Sequence, residues 1–171
     1  KMSKSKGNVT SPLELMKKYG AEILRLWVVL EDYRNDLSFS TESLERVSES
    51  YRKIRNTGRY LLANLYDFDP SRDLVPVAAM HEVDRYALAR YADAALEILD
   101  AYDAYDFPTI FQRINQLTTV DLSAFYADVS KDRLYTFAAA DPARRSAQTA
   151  MYLFADGLSR LLAPVLPFTS H

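Results

Sequence analysis

The chain has 171 residues, of which 49% are hydrophobic and 26% charged, with a net charge of −2, two histidines and no cysteine. It is therefore long enough to bury a core and too apolar to be disordered. The absence of cysteine excludes disulfides, a thiol nucleophile and thiolate-bound zinc, and two histidines are too few for a histidine-rich metal centre or a histidine-based triad.

The start of the chain predicts a polar loop followed by two short helices. Residues 1–10 are lysine- and serine-rich and lack a helical apolar period. Ser11 is typical of an N-cap, with Pro12 in the first helical position, and Gly20 suits the left-handed residue that closes a helix. A second helix is expected over residues 21–30.

Four long amphipathic helices are expected after this lead-in. Ser40 and Asp141 are the predicted N-caps of the first and the last of them, and residues 132–137 are predicted to form a bend. Gly58 lies on an apolar stripe and predicts close approach of another helix. The helices are expected at about 41–65, 81–105, 110–130 and from 142 to just before Pro164. This pattern predicts an all-α helical bundle.

The cellular context also follows from simple patterns. The longest apolar stretches are broken by prolines and are too short to span a membrane, and no signal peptide opens the chain. We therefore expect a soluble protein of the cytoplasm. Because the chain begins with Lys1 and ends at His171 within an apolar run, we also expect it to be a piece of a larger protein.

The opening loop is the part of the sequence that carries chemistry. Its lysines, serines and backbone amides could hold the oxygens of a phosphate, because lysine is a compact charge on a long stem. The alternative is a solvated lysine-rich segment without a ligand. The charged and hydroxyl residues are Lys1, Ser3, Lys4, Ser5 and Lys6.

The string KMSKS, followed by Gly7 and Asn8 and then a helix, resembles the second signature motif of class I aminoacyl-tRNA synthetases. In that family the loop closes over ATP, with its Mg²⁺, and steadies the pyrophosphate leaving group. The resemblance implies that Lys4 is the main phosphate contact and catalytic residue and that Lys1 assists it. It also implies that Ser3 and Ser5 shape the ATP-binding loop.

Further stretches resemble the isoleucine-specific branch of the family more than its valine- or leucine-specific relatives. They are RKIRNTGRYLLANLYDFDP, DLSAFYADVSKDRLYT and RRSAQTAMY. The resemblance implies a signature loop and connecting segment in residues 1–38 and a helical anticodon-binding domain in residues 39–171. It implies part of a ligase that activates isoleucine with ATP and binds tRNA(Ile). A valine or leucine relative, or a non-catalytic helical interaction module, remains the alternative.

Other parts of the family are not found in these residues. The first signature, a His-x-Gly-His type motif, is absent, as are the Rossmann strands, the editing domain and the zinc modules. We therefore expect the chain alone to form no aminoacyl-adenylate and to hold no zinc.

A basic stretch of the first long helix is the predicted tRNA-binding surface. Residues 1–60 carry 12 Lys or Arg against 8 Asp or Glu, whereas residues 61–171 carry 9 against 15. Cations three and four residues apart share one helix face and could follow a phosphate backbone, and an amide could meet sugars or base edges. The alternative is a solvated face supported by Glu45 and Glu49. The predicted set is Arg52, Arg55, Asn56 and Arg59, with Lys53 beside it.

Four other residues are weaker candidates. Arg144 and Arg145 occupy the first turn of the last helix, where the helix dipole disfavours cations, so they predict either a tRNA contact or a pair with Asp141. Trp27 is expected to be part of the core. His81 is expected at the surface or as a cap at a helix start.

Overall fold

The computed structural model describes Ser5, Gly7 and residues 9–32, 34–35 and 39–171. These residues form helices and turns and no strand. Helices α5 and α6 are joined without a break by a π-helical segment, so the bundle is built from four long helical units after two short helices. The helices are α1 (Pro12–Tyr19), α2 (Ala21–Leu30), α3 (Thr41–Ala63), α4 (Glu82–Asp103), α5 (Phe107–Gln116), the π-helical segment (Leu117–Tyr126), α6 (Ala127–Thr136), α7 (Pro142–Leu162) and α8 (Pro167–Ser170).

The predicted helix starts are confirmed where capping chemistry was visible in the sequence. The Ser40 hydroxyl accepts a hydrogen bond from the Ser43 amide at 3.1 Å, and the Asp141 carboxylate accepts one from the Ala143 amide at 2.8 Å. Gly20 separates α1 from α2 with a φ of +88°, a conformation that residues with a Cβ rarely adopt.

The predicted bend at residues 132–137 is wrong, because α6 continues to Thr136. Tertiary contacts keep this stretch helical: Leu134 is buried in the core, and Arg133 pairs with a buried carboxylate on α4. The π-helical segment was also not predicted from the sequence. It starts where the Thr118 and Thr119 hydroxyls donate to carbonyls one turn earlier, in competition with the backbone amides.

Two apolar clusters form the core. The first joins α2 to α3, α5 and the end of α7, and it includes Leu26, Leu44 and Ile110. The second lies between α4, α7 and the π-helical segment around Tyr126 and Phe154, whose rings meet edge to face at 5.2 Å. Because α2 contributes to the first cluster, the connecting segment is packed on the bundle.

Two helical glycines, Gly58 and Gly157, differ in how closely another helix approaches them. A Cβ at Gly58 would meet no atom within 4 Å, so the predicted close approach at this position is wrong; Gly58 borders an open groove. The close approach occurs at Gly157 on α7 instead, where an added Cβ would lie 1.9 Å from the Tyr91 hydroxyl of α4. Both glycines look alike in the sequence, and only the packing separates them.

No helix in the described part of the chain combines the length and the apolar character that crossing a membrane requires.

Candidate nucleic-acid interface

The outer face of α3 carries the predicted tRNA-binding residues. Ile54, Thr57 and Leu61 turn the inner face of the helix into the core, since they are 3%, 7% and 2% exposed. Because an α-helix has 3.6 residues per turn, the residues between these inner positions lie on the opposite face of α3, which is in solvent. All four predicted residues are exposed on it: Arg52, Arg55, Asn56 and Arg59.

The cations of this face differ in their partners. Arg52 forms an exposed ion pair with Glu49, one turn earlier, at 2.6 Å. Arg55, Arg59 and Lys53 form no ion pair within the part of the chain that the structure describes. Their charges are therefore free to meet an anion, whereas Arg52 would exchange one partner for another.

Two grooves flank this face of α3. The α3–π groove has a volume of about 510 Å³ and lies between α3 and the π-helical segment, with Lys53 and Asn56 on its α3 wall. The α3–α7 groove has a volume of about 360 Å³ and has Arg55 and Arg59 on its α3 wall. The predicted residues thus form a ridge between two depressions rather than one pocket.

The residues predicted to bind ATP are those of the KMSKS motif. Lys1, Ser3 and Lys4 lie outside the described residues, and Ser5 is exposed. The assignment of these residues to ATP therefore stays a prediction. Among the residues that are described, no group of three or more histidine, aspartate and glutamate side chains is placed to hold a metal ion.

Arg144 is buried and Arg145 is half-buried, and both are held by partners within the chain. Arg144 is 8% exposed and donates to the Asp67 carboxylate at 2.8 Å and to the Phe137 carbonyl at 3.2 Å. Arg145 donates to the Asp67 carbonyl at 2.9 Å and lies 3.5 Å from the Asp73 carboxylate. The predicted pair with Asp141 is thus replaced by pairs with the loop between α3 and α4, which these arginines fasten to α7.

A buried polar cluster on α4 was missed from the sequence. The Asp84 carboxylate is fully buried and accepts hydrogen bonds from Arg133, Tyr126 and Ser146. Burial, followed by the adjacent Asp84 charge, raises the pKa of Tyr126 well above its usual value, so this hydroxyl stays a donor. The cluster ties α4 to the π-helical segment, α6 and α7. Its residues are far apart in the chain, and no local pattern marks them.

A second polar cluster fastens the connecting segment to the end of the bundle. Glu22 of α2 accepts hydrogen bonds from the backbone amides of Phe168 and Thr169 at 2.7 and 3.0 Å and from the Thr169 and Tyr51 hydroxyls. Arg25, one turn later, donates to the Val165 carbonyl at 3.1 Å. The carboxylate thus meets amides at the start of α8, and the guanidinium meets a carbonyl beyond α7.

Trp27 and His81 occupy the positions predicted for them. Trp27 packs against the first core cluster, and its ring meets Phe39 edge to face at 5.6 Å. His81 is exposed at the start of α4, and its side chain makes no capping hydrogen bond.

The fold agrees with the families that the chain matches. Residues 84–171 match the anticodon-binding domain of tRNA ligase, and residues 1–40 match the class I tRNA synthetases of the I, L, M and V group. The chain belongs to the anticodon-binding domain family of tRNA ligases. Its first 40 residues carry the class I synthetase match.

Individual relatives point to one branch of that family. The chain is 54% identical to isoleucine–tRNA ligases of Syntrophotalea carbinolica, over 100% of the chain, and Desulfotalea psychrophila, over 99%. It is 51% identical to the isoleucine–tRNA ligase of Haemophilus influenzae over 99% of the chain. It spans 18% of the length of each of these relatives. The predicted resemblance to the isoleucine branch is confirmed.

A solved structure shares the fold. The LeuRS–tRNA–LeuAMS ternary complex of Agrobacterium radiobacter K84 superposes with a TM-score of 0.72 over 99% of this chain and 19% of that chain. The sequence identity is 21%, so the likeness concerns the fold. The predicted all-α bundle is confirmed.

Proposed function

We propose that this chain is part of an isoleucine–tRNA ligase and that the outer face of α3 contacts the phosphate backbone of tRNA(Ile). The observation that carries the proposal is the pair of exposed guanidiniums of Arg55 and Arg59, which lack an ion-pair partner in the described part of the chain. Guanidinium groups bind phosphate oxygens through two parallel hydrogen bonds. The family match of residues 84–171 supports a role in tRNA binding.

The loop at the start of the chain serves the chemical step of the same ligase. Lys4, assisted by Lys1, binds the triphosphate oxygens of ATP, which carries Mg²⁺ as its counter-ion, and Ser3 and Ser5 shape the loop. Ammonium groups placed where negative charge develops on the leaving pyrophosphate lower the barrier to formation of isoleucyl-adenylate. The match of residues 1–40 to class I synthetases supports this assignment.

The two predicted segments of the chain have different roles in this proposal. Residues 1–38 link the loop to the bundle, and residues 39–171 hold the tRNA. The rest of the ligase supplies the isoleucine site, so this chain alone forms no isoleucyl-adenylate. The ligase is located in the cytoplasm, where the tRNA substrate is aminoacylated. Isoleucine-dependent pyrophosphate exchange by the isolated chain would contradict this division.

A titration with labelled RNA tests the tRNA contact. We expect the chain to bind tRNA(Ile) and the variant Arg55→Ala/Arg59→Ala to bind about tenfold more weakly, with a salt dependence reduced by about one unit of slope per lost phosphate contact. Arg72→Ala is the matched control, because it removes an exposed arginine from the loop between α3 and α4. This control should bind like the wild type.

Specificity separates the proposal from the alternative of an interaction module. An unrelated tRNA should bind the chain more weakly than tRNA(Ile) at the same salt concentration. Equal binding of both RNAs, unaffected by the Arg55 and Arg59 substitutions, would instead favour a non-catalytic helical module.

A further inference from the structure

The outward face of α4 carries an apolar stripe that lies in solvent. Leu96 and Leu99 are 63% and 51% exposed, and Ala89 and Ala92 are exposed two turns and one turn before Leu96. The inner face of the same helix already packs into the two core clusters. Helix α4 therefore has a second apolar face besides the one that builds the bundle.

The spacing of this stripe is that of a coiled-coil seam. Ala89, Ala92, Leu96 and Leu99 follow one another at steps of three, four and three residues, which are the a and d positions of two heptads. Such a seam is complementary to a single helix, because each of its side chains enters a hole between four residues of the facing helix. These four residues form the α4 seam.

Charged residues limit the α4 seam at both ends. The next positions of the same repeat are Arg85 and Asp103, and both are exposed. The seam therefore extends over about 15 Å along the helix. Its four side chains bury much less than the roughly 1,200 Å² that a stable complex of separate proteins needs. A contact of this size is stable when the two helices belong to one protein, because the tether keeps them at a high effective concentration.

One flank of the α4 seam is acidic. Asp93 and Asp100 occupy its e positions, and both are exposed and form no ion pair with any residue that the structure describes. The arginines of α4 are engaged elsewhere: Arg85 donates to carbonyls of the preceding loop, and Arg90 lies 3.9 Å from a carboxylate of the π-helical segment. A helix that docks on the seam therefore meets uncompensated negative charge along this edge, which favours Lys or Arg there.

The other flank of the α4 seam is apolar and lies beside α7. Leu88, Ala95 and Tyr102 occupy its g positions and are half-buried. On the adjoining surface of α7, Asp156 and Arg160 pair with each other at 3.0 Å. The docked helix therefore needs positive charge only along the edge that faces the aspartates of α4.

A second copy of this chain does not fit the α4 seam. In an antiparallel pair of helices the e positions of the two copies face each other, which would oppose Asp93 and Asp100 of one copy with the same aspartates of the other. In a parallel pair the e positions face g positions, which here are turned towards α7. Like charges placed opposite each other at an interface suppress the pairing.

We propose that the α4 seam is the docking site for a basic amphipathic helix that another part of the same ligase supplies. That helix carries apolar residues at the a and d spacing and Lys or Arg along the edge that faces Asp93 and Asp100. The chain spans 18% of the length of the isoleucine–tRNA ligases to which it is similar, so a complete ligase contains many further residues from which the helix can come. The proposal rests on the assignment of this chain to a larger ligase, but it does not depend on the tRNA contact or on the ATP loop.

Thiol labelling of a complete ligase that contains this chain tests whether the seam is covered. The variants Leu96→Cys and Tyr135→Cys each place one thiol in a chain that has no cysteine, at residues that are 63% and 61% exposed. Mass spectrometry of the two peptides follows their reaction with N-ethylmaleimide. We expect the thiol at position 96 to react at least tenfold more slowly than the control thiol at position 135. Equal rates would show that the seam is uncovered and would overturn the proposal.

Charge substitutions test the basic character of the docked helix. In the Leu96→Cys background, Asp93→Asn/Asp100→Asn should raise the labelling rate about fivefold, because two exposed ion pairs to the docked helix are lost. The matched control is Glu42→Gln/Asp132→Asn, which neutralises two exposed carboxylates on α3 and α6 and should leave the rate unchanged. A rate that does not respond to the substitutions on α4 would contradict a basic helix.

Photo-cross-linking identifies the docked segment. With p-benzoylphenylalanine in place of Leu99, irradiation should join the seam to one other segment of the same ligase molecule. That segment should have apolar residues at steps of three and four and carry Lys or Arg beside them. A cross-link between two ligase molecules, or to a segment without Lys and Arg, would overturn the proposal.

The failure of this proposal can be told apart from the failure of the proposed function. Isoleucine-dependent pyrophosphate exchange is measured on the same ligase samples. An uncovered seam in a ligase that retains exchange overturns the docking alone. A ligase with the wild-type sequence that lacks exchange would contradict the proposed function, whatever the state of the seam.

Discussion

Arg133 and Asp84 are joined by two hydrogen bonds, from Nη1 to Oδ2 at 2.7 Å and from Nη2 to Oδ1 at 2.8 Å. The residues belong to α6 and α4 and are 49 positions apart in the chain. The carboxylate is fully buried and also accepts hydrogen bonds from Tyr126 and Ser146. This pair holds α6 in the bundle, and its geometry explains why the predicted bend at residues 132–137 is helical.

Arg133→Met is expected to destabilise the protein by about 3–5 kcal/mol, because it leaves a buried carboxylate without its counter-charge. Urea unfolding followed by circular dichroism measures the change. Arg160→Met is the control, since Arg160 pairs with Asp156 on the surface of α7 and its loss should leave stability unchanged. A stability of Arg133→Met equal to the wild type would show that the pair contributes nothing to the fold.

The two helical glycines are expected to respond in opposite directions to the same substitution. Gly58→Ala should stabilise the protein by about 0.5–1 kcal/mol, since alanine favours a helix and the new Cβ meets open space. Gly157→Ala should destabilise it by about 1–3 kcal/mol, because the Cβ displaces the Tyr91 ring from its place against Phe154. Thermal and urea unfolding of both variants check this, and a gain of stability at Gly157 would contradict the packing.

Tyr102 should make stability fall at alkaline pH. Burial raises the pKa of Tyr102 to about 12, whereas an unfolded tyrosine titrates near 10. As the pH rises, the unfolded state therefore loses the Tyr102 proton at a lower pH than the folded state does. The contribution of Tyr102 to the free energy of unfolding is fully present below pH 10 and is lost as the pH rises towards 12. We expect this group to contribute about 1–2 kcal/mol of that loss, since it is only half-buried.

The variant Tyr102→Phe isolates that contribution. It should cost about 1 kcal/mol at pH 8, because the hydroxyl no longer donates to the Leu161 carbonyl at 2.9 Å. Above pH 10 its stability should decline less steeply than that of the wild type, so that the two curves converge. If urea unfolding gives the same stability difference between Tyr102→Phe and the wild type at pH 8 and at pH 11, Tyr102 does not titrate in this way.

Glu22→Gln is expected to loosen the contact between α2 and α8. The carboxylate accepts two backbone amides of α8 as well as the Tyr51 and Thr169 hydroxyls, and an amide side chain offers one acceptor oxygen instead of two. We expect a loss of about 1–3 kcal/mol and faster hydrogen exchange at Phe168 and Thr169. Glu14→Gln, on the exposed face of α1, is the control. Unchanged exchange at both amides would contradict the role of Glu22.

Lys4→Ala tests the chemical role of the signature loop in a complete ligase that contains this chain. Loss of one charge at the leaving group should raise the barrier to adenylate formation by about 3 kcal/mol, or about 100-fold in rate. The dissociation constant for isoleucine should change far less, because Lys4 is proposed to contact the triphosphate and not the amino acid. Lys17→Ala, on α1, is the control and should retain the wild-type rate. An equal loss of isoleucine affinity would place Lys4 in the amino-acid site instead.

The helices with local signals could be predicted from the sequence. Ser40 and Asp141 cap helices through bonds to amides two or three residues away, and such bonds depend only on local sequence. The helical continuation around Arg133 could not be predicted, because its partner Asp84 lies on another helix. The exposed ridge of α3 was predictable from helical spacing, whereas the groove beside it depends on how α3 meets the π-helical segment.

The amino-acid sequence by itself determined the all-α class, the main helix starts, the basic face of α3 and the KMSKS motif that connects the chain to the class I synthetases. Periodicity, capping and motif are properties of residues close together in the chain, so they are visible without the fold. The tertiary structure alone decided that Arg144 is buried and Arg145 half-buried in pairs with Asp67, while Arg55 and Arg59 remain open to solvent. All four are arginines on helices, and only the placement of distant carboxylates separates a charge paired within the protein from one that is open to an external anion.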